Sequence, residues 1–244
     1  MAAAVGLAVA WLRFRAAADP PASPSGNATV TVYDEATGEA SEWPDVDWAW
    51  WQTANPDVIG GVTVPGTDIN HPICQAHADD PDFYLTHDAF GDYNPLGAVY
   101  LDAECEASGL SSRNAVILGH SRRLTGTVTG FGYVMSYAER AFAEAHSEVL
   151  LQTPTERIRL KVRFANVVPG WEPSKRTSFE SEADYRSWYD GERASADMVL
   201  DGDFEATRTV SLVSCSYYTW KSNERTVVTC AADDWAEQAR EGSR

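Results

Sequence analysis

The stretch Ser211–Cys230, SLVSCSYYTWKSNERTVVTC, admits few structures. A run rich in β-branched residues, from Thr209 to Val213, leads into Cys215. A polar, turn-prone segment covers Tyr217–Glu224. Thr226-Val227-Val228-Thr229 then begins a second β-rich run directly after Arg225. Short β-rich runs separated by turn formers read as two strands joined by a loop. This leaves Cys215 at a strand end beside a loop, with Arg225 opening the antiparallel return near it. Taken alone, such a cysteine is read first as a small buried hydrophobe and the arginine as a solvated edge charge. Other positions must decide.

The rest of the chain repeats the pattern. Val58-Ile59, Val62–Val64 and Ile69–Gln75 read as strands, with Pro65-Gly66-Thr67 as the turn between the last two. Gly97–Asp102 is a further strand, and Asn114–Ser121 is one that ends in Gly119-His120. Val149–Val168 reads as a hairpin whose second arm alternates apolar and basic residues, as a half-buried strand should. Three segments read as helices. The first follows Asp45 or Asp47 as cap and carries Trp48, Trp50 and Trp51. The second spans Met135–Glu148. The third spans Ser178–Arg193, with Thr177 and Glu180 as a capping box and Tyr185, Trp188 and Tyr189 on one face. About eight short strands with few helices predict a mainly β fold. The expected form is an eight-stranded β-barrel with an N-terminal helix and a helix inserted before the penultimate strand.

The folded unit is expected over residues 43–232, followed by a polar tail, 233–244. The first twelve residues, MAAAVGLAVAWL, are apolar. They would cover ~18 Å as a helix against ~30 Å of hydrocarbon. A trimmed membrane anchor in residues 1–18, a weak signal peptide and an ordinary apolar helix all fit. The Pro/Ser/Gly-rich DPPASPSGNA, within a linker at 19–42, favours the anchor.

A net charge of −17 argues against a nucleic-acid partner, whose phosphates need a basic surface. The four cysteines (74, 105, 215 and 230) show no CxxC or Cys/His zinc spacing. No metal or cofactor is called for, and the acidic run Asp79–Asp82 reads as a solvated loop. A Cys74–Cys105 bridge is open, and Cys230 reads as packing. His71, His77, His87 and His146 are scattered and read as structural.

A cysteine nucleophile needs a proton donor for its leaving group and a donor for the developing oxyanion. His120 and Cys215 each end a strand and Arg225 starts one. Strand ends on one rim of an antiparallel barrel would bring all three together. An arginine is always charged and presents forked donors, which suits an oxyanion. No acid that would orient the histidine stands out.

These residues sit in a pattern that resembles the sortases, and within them class B. The resemblance covers about Val46 to Thr229. It includes NPDVIGGVTVPGTDINHPICQ, FYLTHDAFGDYNPLGAVYLD, LGHS and VSCSYYTWKSNERTVV, the ten-residue spacing of Cys215 and Arg225, and the Ser178–Arg193 helix as the inserted helix of that class. It also extends to Tyr137–Pro154, with Phe142 and His146. The resemblance implies a transpeptidase on the outer face of a Gram-positive membrane, held by its N-terminal segment. Cys215 would attack the carbonyl after the threonine of a C-terminal sorting motif in a secreted protein or pilin, forming a thioacyl-enzyme. An amine of a peptidoglycan precursor or pilin would resolve it. His120 would serve as acid and base, and Arg225 would steady substrate and oxyanion, joined by a backbone N–H, with that of Ser216 as the candidate. Ser214 would keep a hydroxyl beside the nucleophile.

Three positions depart from the family pattern. Val213 stands where class B often has serine, Ser121 where asparagine usually follows the histidine, and Cys105 where Asp-x-x-Asn would place asparagine after Asp102. Cys105 is open as an inert replacement, half of a disulfide, or a redox partner of Cys215. Residues 169–206 are expected to read the sorting motif, with Asn-Pro-x-Thr and Leu-Pro-x-Thr-Gly types both open. Two alternatives are a hydrolytic cysteine endopeptidase and a non-catalytic barrel that binds peptides or pilins.

Overall fold

The computed structural model describes residues 32–33, 40–41, 43–124, 127–170, 175–216 and 223–235. Eight strands form the body: β1 (Val58–Thr63), β2 (Asn70–Gln75), β3 (Val99–Leu101), β4 (Asn114–Leu118), β5 (Glu148–Gln152), β6 (Arg157–Val168), β7 (Thr209–Cys215) and β8 (Arg225–Ala231). Around the barrel they run β6-β8-β7-β4-β3-β2-β1-β5, and β5 pairs back onto β6 to close it. The mainly β, eight-stranded barrel expected from the pattern is therefore present. Two pairings are parallel, β2 with β3 and β4 with β7, so this is not the all-antiparallel barrel the strand-end reasoning assumed.

The twelve-residue β6 closes the barrel because it serves two neighbours. Its first half, Arg157–Lys161, pairs with β5, and Lys161–Val168 pairs with β8. Ile158, Leu160 and Val162 alternate into the core as the apolar/basic pattern predicts. A bulge between Val162 and Phe164 then resets the alternation. Ala165 returns to the barrel core, while Phe164 packs outward against Tyr189. Arg163, beside the bulge, is 2% exposed. Asp201 and Asp233 at 2.7 and 2.5 Å and the Ala231 carbonyl compensate its buried charge. Asp233 and Trp235, expected in a polar tail, are thus docked on the barrel, with the Trp235 ring 3.9 Å from the Arg208 guanidinium.

Helix α1 (Trp48–Ala54) starts at Asp47, whose carboxylate accepts from the Trp50 N–H at 3.0 Å. It buries Trp51 against Phe90 on the outside of the barrel. The Met135–Glu148 helix is shorter than its composition predicts. Gly130–Ala138 is 3-10, with Gly130 at a positive φ of 52°, and only Arg140–Ala145 (α2) is α-helical. The 3-10 segment drops Phe131, Val134 and Tyr137 into the core, which orders it by burial rather than by helix propensity. The inserted helix is α3 (Glu182–Ala194), before β7 as expected. It is capped by Ser181, which accepts from the Asp184 N–H, and not by the Thr177/Glu180 pair. Thr177 instead donates to Glu104 at 2.9 Å. Tyr185 and Tyr189 are buried on one face of α3, as their spacing predicts.

Within the segment read as a linker, Val32–Tyr33 and Ala40–Ser41 pair as two-residue strands. Residues 1–18 lie outside the described residues. Among the described residues no helix is long and apolar enough to cross a membrane.

Candidate active site

Two strand registers assemble the site. Across β7 and β8, Cys215 and Arg225 are direct antiparallel partners. Across β4 and β7, Val213 is level with Leu118, and the Gly119 N–H continues the ladder to the Val213 carbonyl at 3.2 Å. β4 ends at Leu118, and His120 follows it by two residues, at the end of the barrel where β7 reaches Cys215. Cys215 and Arg225 are thus opposite each other, and His120 lies just past the adjacent strand at the same end of the barrel. Parallel pairing of β4 and β7, rather than clustering on an antiparallel rim, is what puts the strand ends that carry His120 and Cys215 at the same end of the barrel.

Side-chain alternation decides which face they share. Val210 and Leu212 point into the barrel core, so Val213 and Cys215 point outward. Val228 and Cys230 point inward, so Val227 and Arg225 point outward as well. Val116, Val213 and Val227, flanked by Leu118 and Val168, form an apolar stripe on the outer face. Cys215 and Arg225 stand at its end, each half-buried. Gly119, just before His120, has no positive φ. A Cβ there would lie 2.5 Å from Phe131, so close packing of that ring explains the glycine.

Arg225 is held by Asn223. Its Nη1 donates to the Asn223 backbone carbonyl at 3.0 Å and side-chain Oδ1 at 3.1 Å. His120 is held by backbone too, with Nε2 2.9 Å from the Leu85 carbonyl. Sequence reasoning missed this partner, because a backbone oxygen 35 residues away carries no side-chain signal.

The two serines fall elsewhere. Ser214 is 2% exposed and alternates inward with Val210 and Leu212, so its hydroxyl faces the barrel interior and not the outer stripe. The Ser216 N–H, expected as an oxyanion donor, donates to the Glu224 carbonyl at 3.0 Å and extends the β7–β8 ladder. In this arrangement that N–H is not free for a substrate oxygen.

Ser214 and Thr226 are cross-strand partners behind Cys215 and Arg225. Both hydroxyls are buried without a hydrogen-bond partner among the described residues. A buried hydroxyl left unpaired costs about 1–3 kcal/mol. Thr226→Val, which keeps the shape, is therefore expected to stabilise the fold by about 1 kcal/mol in urea unfolding. A destabilised variant would show that the hydroxyl is satisfied in solution.

The other thiols are built differently from Cys215. Cys74, Cys105 and Cys230 are buried, and all four cysteines are free. Burial pushes the Cys74 and Cys105 thiols up, and carries Cys230 to about 12. Cys105 lies 3.7 Å from the Asn114 carbonyl, at the start of β4, whereas His120 follows its end. Six residues of extended chain separate these levels by roughly 20 Å. A disulfide requires Cα atoms within ~7 Å, so Cys105 is no redox partner of Cys215.

Three contacts anchor the chain between β6 and α3 to the far end of the stripe. Lys175 pairs with Asp102, Thr177 bonds Glu104, and Asn114 Nδ2 donates to the Arg176 carbonyl at 2.9 Å. Asn114 also accepts from Thr209 and Ser211, and the Tyr185 hydroxyl reaches Thr209 at 3.3 Å. This buried network ties α3 to β4 and β7. A cavity of about 520 Å³, lined by Glu104 and Lys175–Glu180, lies at this end and not at Cys215.

His77 lies outside the site and bridges two acids. Its Nδ1 is 2.6 Å from Glu106, and its Nε2 is 3.0 Å from Asp57. Glu106 first, then Asp57, raise His77 above its ordinary 6.5, while His77 first lowers Glu106 below 4.5. The raised histidine contributes stability fully present below 6.5 and lost as pH rises through its folded value. The lowered Glu106 contributes stability present above 4.5 and lost as pH falls through its own. His77→Gln is expected to cost more stability near pH 6 than near pH 9, by a small margin given solvent screening. Urea unfolding at both values checks this, and an equal cost at both would contradict it.

The fold is shared with solved sortases. It superposes on the Staphylococcus aureus sortase B–substrate complex with a TM-score of 0.64 and 22% identity, covering 77% of this chain and 85% of that one. Against Clostridium perfringens sortase B the TM-score is 0.66 at 23% identity, covering 75% and 98%. Sequence similarity is consistent with this. Sortase B of Staphylococcus aureus is 25% identical over 177 residues, 71% of this chain and 69% of that protein. Sortase B of Listeria monocytogenes is 28% identical over 95 residues, 39% of this chain and 36% of that protein. No protein-family model matches the chain. Barrel topology and relatives together define a sortase-type cysteine transpeptidase. Within that group, the relatives and solved structures to which the chain is similar are class B sortases.

Proposed function

We propose that Cys215 is the nucleophile, His120 the general acid and base, and Arg225 the oxyanion and substrate donor of this transpeptidase. The observation that supports the assignment is the β7–β8 register that pairs Cys215 with Arg225, together with the parallel β4–β7 pairing that ends β4, two residues before His120, at the same end of the barrel. Cys215 is the one cysteine among the described residues that is not buried. The sulfur attacks the carbonyl of the threonine in a sorting motif, and a thioester replaces the peptide bond that follows it. The departing amine takes a proton from His120. An incoming amine gives one back as it displaces the sulfur. Arg225 stabilises the charged oxygen of each tetrahedral intermediate.

The substrates are secreted proteins or pilins bearing such a motif, and the acceptor is an amine of a peptidoglycan precursor or a pilin. One solved relative, a sortase B complexed with triglycine, supports an amine-bearing peptide as acceptor. The enzyme works at the outer face of a Gram-positive membrane, with residues 1–18 as anchor, 19–42 as linker and 43–232 as catalytic domain. The Staphylococcus and Listeria relatives support that setting. The β6–β7 connection, pinned at Asp102, Glu104 and Asn114, reads the motif. Incubation with Asn-Pro-x-Thr and Leu-Pro-x-Thr-Gly peptides, with and without triglycine, tests the reading. A ligated product is expected with the amine. Hydrolysis alone, at all amine concentrations, would support an endopeptidase instead.

A further inference from the structure

The segment between Leu85 and β3 is a closed loop, and both of its ends meet His120. The Asn94 N–H donates to the Thr86 carbonyl at 2.8 Å, Asp88 N–H to Asp92 at 2.9 Å, and Gly97 N–H to Asn94 at 2.8 Å. His87 and Tyr93 form a bridge inside it. At one end, the Leu85 carbonyl lies 2.9 Å from His120 Nε2. At the other, Gly97 sits at φ +58° with its Cα face turned to the same place. A Cβ on Gly97 would lie 2.5 Å from the Tyr84 carbonyl oxygen, 2.8 Å from that of Leu85 and 3.1 Å from His120 Cδ2. No side chain fits there without displacing the carbonyl, the imidazole or both.

We infer that Leu85 and Gly97 are positioning residues for the reaction, holding His120 in the tautomer that carries its proton on Nε2 and leaves Nδ1 to exchange protons with Cys215 and the substrate. A carbonyl oxygen only accepts, so the nitrogen facing it must be protonated in the neutral and the charged ring alike. Nδ1 is then the lone-pair nitrogen of the neutral ring and the proton donor of the charged one. The loop does for this histidine what a carboxylate does in a Ser-His-Asp site, where a partner on one ring nitrogen sets the tautomer and orientation of the other. This accounts for a trio in which, among the described residues, no carboxylate pairs with the histidine. Glycine at 97 is what allows the loop to close this tightly on the ring. The inference rests on His120 being the acid and base, but its first test does not.

Nitrogen-15 NMR of histidine-labelled protein reads the tautomer directly, without substrate. The neutral His120 ring is expected to show Nδ1 as the unprotonated nitrogen. Protonation at Nδ1 instead would overturn the inference while leaving the nucleophile assignment untouched. The second test is Gly97→Ala beside Gly91→Ala. Gly91 is also left-handed, at φ +80°, but a Cβ there meets nothing within 4 Å, so it carries the backbone strain without the contact. Gly97→Ala is expected to lower kcat on an amide sorting peptide by about a hundredfold, with little change in KM. Cleavage of the matching activated thioester, whose leaving group needs no proton, should fall far less. Gly91→Ala should keep both rates. Equal losses on amide and thioester, or equal losses in the two variants, would make Gly97 merely structural. Should Gly97→Ala not fold, the tautomer measurement still decides.

Discussion

Replacing Cys215 by alanine is expected to lower sorting-peptide cleavage by at least about 10⁴-fold, to the uncatalysed background, while the barrel stays folded. The loss follows from the covalent step, because without the sulfur no thioester forms and Arg225 has no tetrahedral intermediate to stabilise. No other cysteine can substitute. Cys74, Cys105 and Cys230 are buried and held protonated by their surroundings, and Cys105 lies at the opposite end of β4. The fold survives because Cys215 is a half-buried strand-end residue, and its place in the β7–β8 ladder is made by backbone atoms. An alkylating reagent should correspondingly modify the native protein at Cys215 alone. Circular dichroism and peptide turnover on the same preparation check both halves. Retained turnover in a folded Cys215→Ala protein would remove the nucleophile assignment.

Arg225 carries the next largest effect. With the Ser216 N–H committed to Glu224, the charged donor facing the cysteine is the guanidinium. Removing one oxyanion donor typically costs about 10²–10³ in kcat. Arg225→Lys should approach that loss, because an ammonium keeps the charge but not the planar fork. It also loses the two bonds that Nη1 makes to Asn223 and that fix the side chain's direction. KM should change less than kcat, since the oxyanion exists only beyond the ground state. A lysine variant with the kcat of the parent would mean that charge alone suffices. An alanine variant with that kcat would exclude the residue from the chemistry.

What was legible in the chain followed from periodicity and turn chemistry. The β7–β8 pair around Cys215 and Arg225, the Val149–Val168 hairpin and the buried face of Tyr185 and Tyr189 all rest on local patterns that packing then honoured. The failures have physical causes. Alanine and glutamate predict one helix at Met135–Glu148, but Phe131, Val134 and Tyr137 must reach the core, and a 3-10 segment lets them do so. Ser181 outcompetes Thr177 as a cap because Thr177 is held by Glu104 on another element. Arg163 reads as a solvated basic position, yet a bulge and two distant aspartates bury it. At the candidate site, the strand-end place of Cys215 and the strand-start place of Arg225 were readable. The parallel β4–β7 pairing that ends both strands on one side of the barrel is long-range, and the inward turn of Ser214 follows from which face of β7 the core claims.

The central claim is tested most directly by mass spectrometry of the enzyme caught during turnover. The wild-type protein, mixed with a cleavable sorting peptide and quenched in acid, should carry the N-terminal half of that peptide as a thioester on the fragment containing Cys215. Addition of triglycine before the quench should remove the adduct and yield the peptide–triglycine amide in equal amount. Cleavage without any adduct on Cys215, or an adduct that maps to another residue, would contradict the account.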